Sequence, residues 1–427
     1  MPVSDDFRRR LDACLPAVAA HFGTPFYLYD EQGIVETLAR LRNAFEPLDF
    51  REFYAVKAVS NPRVLRLLLE HGAGFDCGSV PDIGVAQRAG AGAGDLIFTA
   101  NNTTAPEFAA ARASGALLNI DDLAAFGKLP DLPERVGFRL NPGSLPHGSG
   151  PDLMTTGQKF GLRPDQLPTA ERAARDRGAS RFGLHAMVAS GLTDSSVLRA
   201  TLEFLLEVAG RWRRDTGTVV EFIDAGGGLG IPFRPGEKEF DVAGFAADAA
   251  HLLTSWAARE GVACPRLYLE SGRYVTGPHG VLVTRVVNRM EKWQTFVGVD
   301  TGVSAMIRPA LYDTAYHHIT VHGADGRPEE VVDVVGSMCE NNDKLASARR
   351  LPRAEEGDLM YVHDVGAHGY SMSFPYNHRL RPQELLMRPD GAVELIRRAE
   401  TEEDFLATLD HEPRTLSASI GSGRATA

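Results

Sequence analysis

The chain has 427 residues, of which 44% are hydrophobic and 24% charged, and its formal net charge is −11. This length accommodates two or three domains, or one large barrel with a smaller unit. The acidic balance argues against a nucleic-acid partner, because binding phosphate requires a basic surface. No apolar run approaches the roughly 20 residues that span a bilayer, and the N-terminus lacks a signal-peptide core, so we expect a cytoplasmic protein with no membrane partner.

From about residue 50 the sequence alternates short apolar runs with patterns typical of amphipathic helices. Parallel strands need helical crossovers, and eight strand–helix units close a (β/α)8 barrel. An open doubly wound sheet is the alternative, but its glycine fingerprint is absent after the first strand. We therefore predict an α/β protein with a (β/α)8 TIM barrel over residues 31–277. Its strands are predicted at 53–58, 74–79, 95–100, 116–120, 135–140, 183–188, 221–226 and 266–271.

After Gly277 the strand-like runs follow one another with little helix between them. Asp390-Gly391 lies between two such runs, which is typical of a β-hairpin. A strand-like run also ends the first 30 residues, and we expect it to pair with the same sheet. The sequence thus predicts a C-terminal all-β domain formed by residues 278–415 together with 1–30. The small and polar residues 416–427 are expected to form a disordered tail.

Barrel enzymes carry their sites at the carboxyl ends of the strands, so residues at those ends are candidates for catalysis. Lys57 ends the first predicted strand, and strand alternation places it on one face with Phe53 and Ala55. Burial in an apolar barrel mouth makes an amine a better nucleophile toward carbonyl groups. We interpret Lys57 as a catalytic amine rather than as an ordinary surface lysine.

Two further strand ends carry groups that suit a phosphorylated cofactor. The seventh predicted strand ends in the run that contains Gly226, Gly227 and Gly228, and successive glycines let backbone N–H groups converge on an anion. The eighth ends in the run from Glu270 to Arg273, and these two residues could hold a ring nitrogen and a phosphate. Each motif alone is equally compatible with a tight turn or a local ion pair. An amine, a glycine loop and a carboxylate at one barrel mouth together indicate pyridoxal phosphate.

The predicted β-domain contains three polar clusters, each of which could also be an ordinary loop. Residues 308–312, RPALY, combine a guanidinium suited to carboxylates with a phenol. Residues 337–343, SMCENND, are too polar for the interior of a strand, and residues 366–377 gather small residues around His and Tyr. The four cysteines show neither a disulfide framework nor zinc spacing, so no metal site is predicted.

In order and spacing these motifs resemble those of the pyridoxal-phosphate decarboxylases of the alanine-racemase-like fold, and most closely the diaminopimelate decarboxylase family. The resemblance covers residues from about 25 to 410, and this chain has CENND where other members have CESGD. RPALY and CENND are its most specific parts, because they belong to the amino-acid-binding half of the site. The segments that carry it are FYAVKA, GGGLG, ESGR, RPALY, CENND and GAHGYSMSFPYNHRLRPQELL.

The resemblance implies a role for each matching residue. Lys57 would form a Schiff base with pyridoxal 5'-phosphate, and Cys339 would reach in from the partner subunit of a homodimer as the proton donor. The residues implied in cofactor binding are Lys57, His185, Ser190, Gly226, Gly227, Gly228, Glu270, Arg273, His368 and Tyr370. The residues implied in substrate binding are Arg273, Arg308, Tyr312, Glu340, Asp343 and Tyr376.

Two regions depart from the family pattern. Met187 and Ala189 occupy the positions of the histidine and the glycine of an H-x-G-S turn, whose histidine stacks on the cofactor in other members. His185 lies one strand step earlier, where it either compensates in part or is an ordinary core histidine. His368 occupies the position of the tyrosine in the family's GAY motif, and Tyr370 follows two residues later.

The reaction implied by the resemblance is decarboxylation of meso-diaminopimelate to L-lysine, the last step of lysine biosynthesis. The arginine and the glutamate of the two most specific motifs, Arg308 and Glu340, fit a distal α-amino-carboxylate better than a plain amine. One alternative is a decarboxylase of another amino acid, such as ornithine, lysine or a specialised-pathway substrate. Another is a non-catalytic regulatory homologue. Alanine racemase activity is disfavoured, because it would leave these two motifs without a role.

Overall fold

The computed structural model of the chain describes residues 3–143, 157–312, 315–409 and 412. The tail predicted at 416–427 lies outside these residues. Within these ranges, no helix combines the length and the apolar character needed to cross a bilayer.

The chain begins with a helix that the sequence analysis did not predict, α1 (Asp5–Phe22). The Ser4 hydroxyl accepts the backbone N–H of Phe7 and thereby caps this helix. Phe7, Leu11 and Leu15 recur every four residues and are completely buried. They pack against the sheet that contains strand β1 (Phe26–Asp30), so the N-terminal residues contribute a helix as well as the expected strand.

Eight parallel strands then form a closed barrel, which confirms the predicted fold class. Each strand pairs with the next, and the last pairs with the first to close the sheet. The strands are β2 (Phe50–Ala55), β3 (Gly74–Cys77), β4 (Leu96–Thr99), β5 (Leu117–Ile120), β6 (Arg135–Arg139), β7 (Arg181–His185), β8 (Val220–Asp224) and β9 (Arg266–Leu269). The helices of this region are α2 (Glu31–Ala44), α3 (Pro62–Glu70), α4 (Val80–Ala89), α5 (Ala105–Ala113), α6 (Leu167–Arg175), α7 (Ser196–Thr216) and α8 (Val242–Glu260).

Large side chains fill the barrel interior, so the barrel is a packed core and not a pore. Phe53, Phe222 and Tyr268 form a cluster with two aliphatic residues there. A Cβ at Gly183 would overlap the ring of Phe222, which explains the glycine at this strand position. Several strands end two or three residues earlier than predicted, so the catalytic candidates lie in the turns that follow the strands.

The remaining described residues form a mostly antiparallel sheet that incorporates β1. Strand β1 lies between β10 and β16, antiparallel to the first and parallel to the second. A hairpin turn containing Gly391, with φ of 87°, joins the last two strands as predicted. The strands are β10 (Gly280–Glu291), β11 (Thr295–Val299), β12 (Ile319–Val321), β13 (Glu329–Val335), β14 (Lys344–Pro352), β15 (Leu359–Val362), β16 (Gln383–Met387) and β17 (Val393–Arg397). Three short helices accompany them: α9 (Arg273–Thr276), α10 (Arg308–Leu311) and α11 (Glu402–Leu406).

Candidate active site

Lys57 lines a cavity of about 480 Å³ at the carboxyl end of the barrel. Strand β2 ends at Ala55, so Lys57 lies in the 3-10 turn that follows and not on the strand face. The expectation of a buried amine is wrong, because Lys57 is exposed in the described structure. Its positive charge acts to lower the pKa values of Asp76, Asp82 and Glu270.

The glycine loop after β8 packs tightly against the ends of two other strands. Gly226 and Gly228 have φ of 68° and 100°, a backbone region that other residues rarely adopt. A Cβ at Gly227 would overlap the carbonyl oxygen of Glu270, and one at Gly228 would overlap that of Ala189. Only glycine therefore permits this close approach of three backbone segments.

A guanidinium and a hydroxyl converge beside the glycine loop. Arg273 is the first residue of α9, and its Nη1 lies 3.5 Å from the Oγ of Ser190, which also lines the Lys57 cavity. A Cβ at Gly191 would come within 3.0 Å of the same nitrogen. Arg273 and Ser190 thus place hydrogen-bond donors, a guanidinium and a hydroxyl, where the loops after β7, β8 and β9 meet.

Glu270 is buried at the base of the site and is held from two sides. Its Oε2 lies 3.3 Å from Nε2 of His185, and its Oε1 accepts the Thr99 hydroxyl at 3.4 Å. Burial alone would raise the pKa of Glu270, but His185, Lys57 and Arg139 outweigh it and lower the pKa below its usual value. His185 is fully buried, and the contact that the structure gives its Nε2 is with Glu270.

Three other buried carboxyls surround Glu270 and differ from it in charge. Burial raises the pKa of Glu52, Asp76 and Asp224 well above the usual range, and the negative charge of Glu270 raises it further. Glu270 is therefore the ionised member of this group. Asp224, Glu270 and His185 also place potential ligand atoms within 4.8 Å of one another, a grouping that the sequence analysis did not anticipate.

The structure adds two residues to the site that the sequence analysis did not assign to it. Arg139 ends β6, lines the Lys57 cavity and lies with its Nη1 3.3 Å from Oδ1 of Asp121. The rule that identified Lys57, a polar residue at a barrel strand's carboxyl end, would also have found Arg139. Met187 lines the same cavity, and its sulfur accepts the N–H of Gly227 at 3.2 Å. This contact could not be read from the sequence, because it joins the loops after two different strands.

The β-domain contributes a histidine to the barrel mouth. The backbone N–H of His368 donates to the carbonyl oxygen of Ala58, 2.9 Å away, so the two units touch beside Lys57. Desolvation, with the positive charges of Arg273, Lys57 and Arg308, lowers the pKa of His368 to about 3. His368 is therefore neutral near pH 7, and three cationic side chains converge on it.

Arg308 begins α10 and is buried between two aromatic rings. The carbon of its guanidinium lies 5.2 Å from the ring centre of Phe233 and 5.5 Å from that of Tyr312. Its Nε lies 3.3 Å from Nε2 of His317. The guanidinium of Arg308 and the phenol ring of Tyr312 are thus adjacent.

Tyr370 and Asp343 both make contacts within the β-domain. Tyr370 is half-buried and packs edge-on against Tyr27, and the guanidinium of Arg397 covers its ring at 4.6 Å. Asp343 is buried, and its carboxylate accepts the backbone N–H groups of Val303 and Met338 at 2.8 Å. The carboxylate of Asp343 therefore organises its loop.

Cys339, Glu340 and Tyr376 are exposed on the surface of the β-domain. The backbone N–H of Cys339 donates to Oδ1 of Asn377 at 2.6 Å, which joins the loop of Cys339 to that of Tyr376. None of the three exposed residues lines the Lys57 cavity of its own chain. These loops therefore present a thiol, a carboxylate and a phenol to the surroundings of the chain.

Comparison with known proteins links this geometry to one group of enzymes. Residues 31–277 match the family model described as pyridoxal-dependent decarboxylase, pyridoxal binding domain. Protein TabA from Pseudomonas amygdali pv. tabaci is 43% identical over 414 residues, which are 97% of each chain. Diaminopimelate decarboxylase from Methanothermobacter thermautotrophicus is 38% identical over 91% of this chain and 92% of its own. The crystal structure of diaminopimelate decarboxylase from M. jannaschii in complex with L-lysine has a TM-score of 0.84 at 29% identity, covering 93% of this chain and 94% of that one.

Proposed function

The chain belongs to the pyridoxal-dependent decarboxylase family, and from this premise we propose that it converts meso-diaminopimelate to L-lysine. As a member it is a carboxy-lyase that uses pyridoxal phosphate, and the resemblance noted in its motifs is confirmed. The observation that carries the choice of substrate is the buried guanidinium of Arg308, which lies over the rings of Phe233 and Tyr312 and whose charge, like those of Arg273 and Lys57, acts on His368. This guanidinium suits a second, distal carboxylate that ornithine and cadaverine-type amines lack.

The residues of the barrel mouth fit pyridoxal phosphate. The cavity at Lys57 is about 480 Å³, within the range typical of small-molecule sites. The close-packed glycine loop, with Arg273 beside it, suits the phosphate, and the ionised carboxylate of Glu270 suits a protonated ring nitrogen. Lys57 supplies the amine for the aldehyde. When bound, the cofactor withdraws the electron pair that remains on the α-carbon as carbon dioxide leaves.

Residues of this chain would carry the other parts of the reaction. Arg308 and Tyr312 bind the distal carboxylate and so fix which end of the substrate faces Lys57. Glu270 stays ionised because His185 and Thr99 hold its carboxylate, and it thereby keeps the positive charge on the ring nitrogen. Loss of carbon dioxide leaves one bond of the α-carbon to be filled by a proton. The thiol of Cys339 or the ammonium group of Lys57 supplies that proton.

The proposal includes a homodimer with shared active sites. Cys339 and Glu340 are exposed, and neither lines the cavity of its own chain. For Cys339 to protonate the α-carbon and for Glu340 to bind the distal amino group, a second copy must bring their loop to the barrel mouth. A two-fold symmetric dimer would build two equivalent sites in this way.

A second candidate is decarboxylation of a different amino acid that also carries a distal carboxylate. Met187 lines the Lys57 cavity and His368 lies at its mouth, and both differ from the residues usual in the family. The 43% identity to TabA, which exceeds that to the Methanothermobacter decarboxylase, also supports this candidate. It shares with the first candidate the need for Arg308.

A carbon dioxide release assay over a panel of amino acids distinguishes these candidates. We expect meso-diaminopimelate to be decarboxylated to L-lysine, with L-ornithine and L-lysine left unchanged. The variant Arg308→Lys keeps the positive charge but loses the planar guanidinium, which can bind a carboxylate through two parallel hydrogen bonds. The value of kcat/KM for meso-diaminopimelate should therefore fall at least about tenfold. An enzyme that decarboxylates ornithine or lysine and leaves meso-diaminopimelate untouched would refute the proposal. Activity only on another carboxylate-tailed amino acid would establish the second candidate.

Replacing Gly227 with alanine should weaken cofactor binding. The new Cβ overlaps the carbonyl oxygen of Glu270, so the glycine loop must move away from the end of β9. Overpacking of this kind typically costs about 1–3 kcal/mol, which corresponds to at least about a fivefold loss of affinity. The cofactor dissociation constant can be measured by absorbance titration. Gly94→Ala is the control, because a Cβ there meets nothing within 4 Å. Equal affinities of Gly227→Ala and wild type would show that the loop does not hold the phosphate.

A further inference from the structure

His317 lies directly behind Arg308 and joins it to the core of the β-domain. The exposed fractions of the two residues are only 1% and 8%. Nε2 of His317 lies 3.3 Å from Nε of Arg308, and Nδ1 lies 2.8 Å from the carbonyl oxygen of His363. The imidazole therefore bridges the first residue of α10 and the residue that follows β15.

These two contacts determine the protonation state of the imidazole. A carbonyl oxygen can only accept a hydrogen bond, so Nδ1 must carry the hydrogen that is donated to His363. Nε of Arg308 always carries a hydrogen, so Nε2 of His317 must accept it. The neutral tautomer with hydrogen on Nδ1 is the one state that satisfies both partners.

The surroundings of His317 keep the ring in that neutral state. Burial lowers the pKa of His317 to about 3, the hydrogen bond to His363 opposes this shift, and the charges of Arg308, Arg273 and Arg349 reinforce it. Protonation would also place two N–H groups against each other at Nε2. His317 thus remains a hydrogen-bond acceptor toward Arg308 throughout the pH range of ordinary assays.

Aromatic rings restrict the same guanidinium from its faces. Phe233 and Tyr312 lie 5.2 and 5.5 Å from its central carbon, and Phe233 also packs edge-on against His317, with ring centres 5.1 Å apart. A long arginine side chain loses considerable rotamer freedom when it binds a ligand. A guanidinium already fixed at Nε and on its faces has less freedom left to lose, so it binds a carboxylate more tightly.

We propose that His317 is a positioning residue, which holds Arg308 by its Nε in the orientation that binds the distal carboxylate of the substrate. This rests on the proposed function, in which Arg308 recognises that carboxylate. The new element is that the affinity of Arg308 for this carboxylate depends on His317, a neutral histidine that touches neither substrate nor cofactor. His317 thereby determines discrimination between substrates with and without a distal carboxylate.

Two substitutions separate the two hydrogen bonds of His317. His317→Asn retains a polar group near the position of Nδ1, within reach of the His363 carbonyl, but has no atom near the position of Nε2. His317→Gln places an amide oxygen near the position of Nε2 and can still accept from Arg308, but it lacks the Nδ1 donor. If the role of His317 were only structural, the two variants would change ligand binding to the same extent. If His317 positions Arg308, His317→Asn should weaken binding of the distal carboxylate more than His317→Gln does.

The experiment compares binding of L-lysine and of cadaverine, which differ by one carboxylate, to each cofactor-loaded enzyme. Binding is followed by the change in the visible absorbance of the cofactor, so turnover is not needed. Wild type should prefer L-lysine. In His317→Asn this preference should fall about tenfold, the usual effect of losing a hydrogen bond to a charged group, with cadaverine affinity unchanged. His317→Gln should keep most of the preference.

Each other outcome has a definite meaning. An unchanged preference in His317→Asn would overturn the positioning role while leaving the proposed function intact. Equal weakening of both ligands in both variants would also overturn it, because the effect would then be structural. A wild-type enzyme without preference for L-lysine would overturn the proposed role of Arg308, and the inference with it. The cofactor spectrum of each variant serves as the control that the barrel mouth is folded. If His317→Asn does not fold, the test depends on His317→Gln, and loss of its preference for L-lysine over cadaverine would overturn the inference.

Discussion

The variant Lys57→Ala is expected to lose the violet absorbance band of the protein-bound cofactor, and its kcat should fall by at least about 10³-fold. Lys57 is the lysine that lines the barrel-mouth cavity, and removal of its amine leaves the cofactor aldehyde without a covalent partner. The spectrum of the reconstituted protein and the rate of carbon dioxide release measure the two effects. Lys159→Ala is the matched control, because this exposed lysine lies against the ring of Phe160 at the same cavity. A full violet band in Lys57→Ala would contradict the assignment.

The same variant tests whether the active sites are shared between subunits. Lys57→Ala should have little activity alone, and so should Cys339→Ala if its thiol, and not the Lys57 ammonium group, supplies the proton. A mixed dimer has one site that combines an intact Lys57 from one chain with an intact Cys339 from the other. Mixing the two proteins under conditions that exchange subunits should therefore restore part of the activity. Failure to restore it, with exchange demonstrated, would contradict the proposed contribution of the partner subunit.

The second large effect is expected for Glu270→Gln, which removes the ionised carboxylate at the base of the site. An opposite charge at close range shifts a pKa by about one to three units, so its loss leaves the ring nitrogen protonated far less often at neutral pH. We expect kcat to fall by about 10²-fold. Steady-state kinetics measure this loss directly. Glu270→Asp retains the negative charge on a shorter side chain, so its kcat should fall less than that of Glu270→Gln.

The pH dependence of Glu270→Gln provides the sharper test. Lower pH protonates the ring nitrogen even without a carboxylate partner, so kcat of the variant should rise relative to that of wild type as pH falls. A relative kcat that does not change with pH would show that Glu270 does not act through the charge of the ring nitrogen.

The sequence contained enough information to predict the barrel and to place three candidate site positions at one end of it. Strand and helix periodicities alternate over the whole barrel, so local patterns were sufficient to count eight units. Lys57, the glycine loop and Glu270 follow predicted strands, and the topology of a parallel barrel necessarily brings such positions together. Helix α1 was not predicted, although Phe7, Leu11 and Leu15 have helical spacing.

The rest of the site depends on contacts between residues that are far apart in the sequence. The charge of Glu270 is set by His185 and by Lys57, from two other strands of the barrel, and no local pattern reports that arrangement. The burial of Asp343 could not be predicted from its polar neighbours, because its partners are backbone N–H groups that the folded loop brings to it. The contact between His317 and Arg308 likewise joins two residues nine positions apart across a loop.

The central claim is that the cofactor is attached to Lys57 at the mouth of the barrel. Borohydride reduces the carbon–nitrogen double bond between the cofactor aldehyde and a lysine amine, which makes the attachment permanent. Peptide mapping by mass spectrometry of the reduced protein then locates the phosphopyridoxyl group. We predict that it lies on Lys57 in nearly every molecule. Stoichiometric labelling of another lysine, with Lys57 unmodified, would contradict the account.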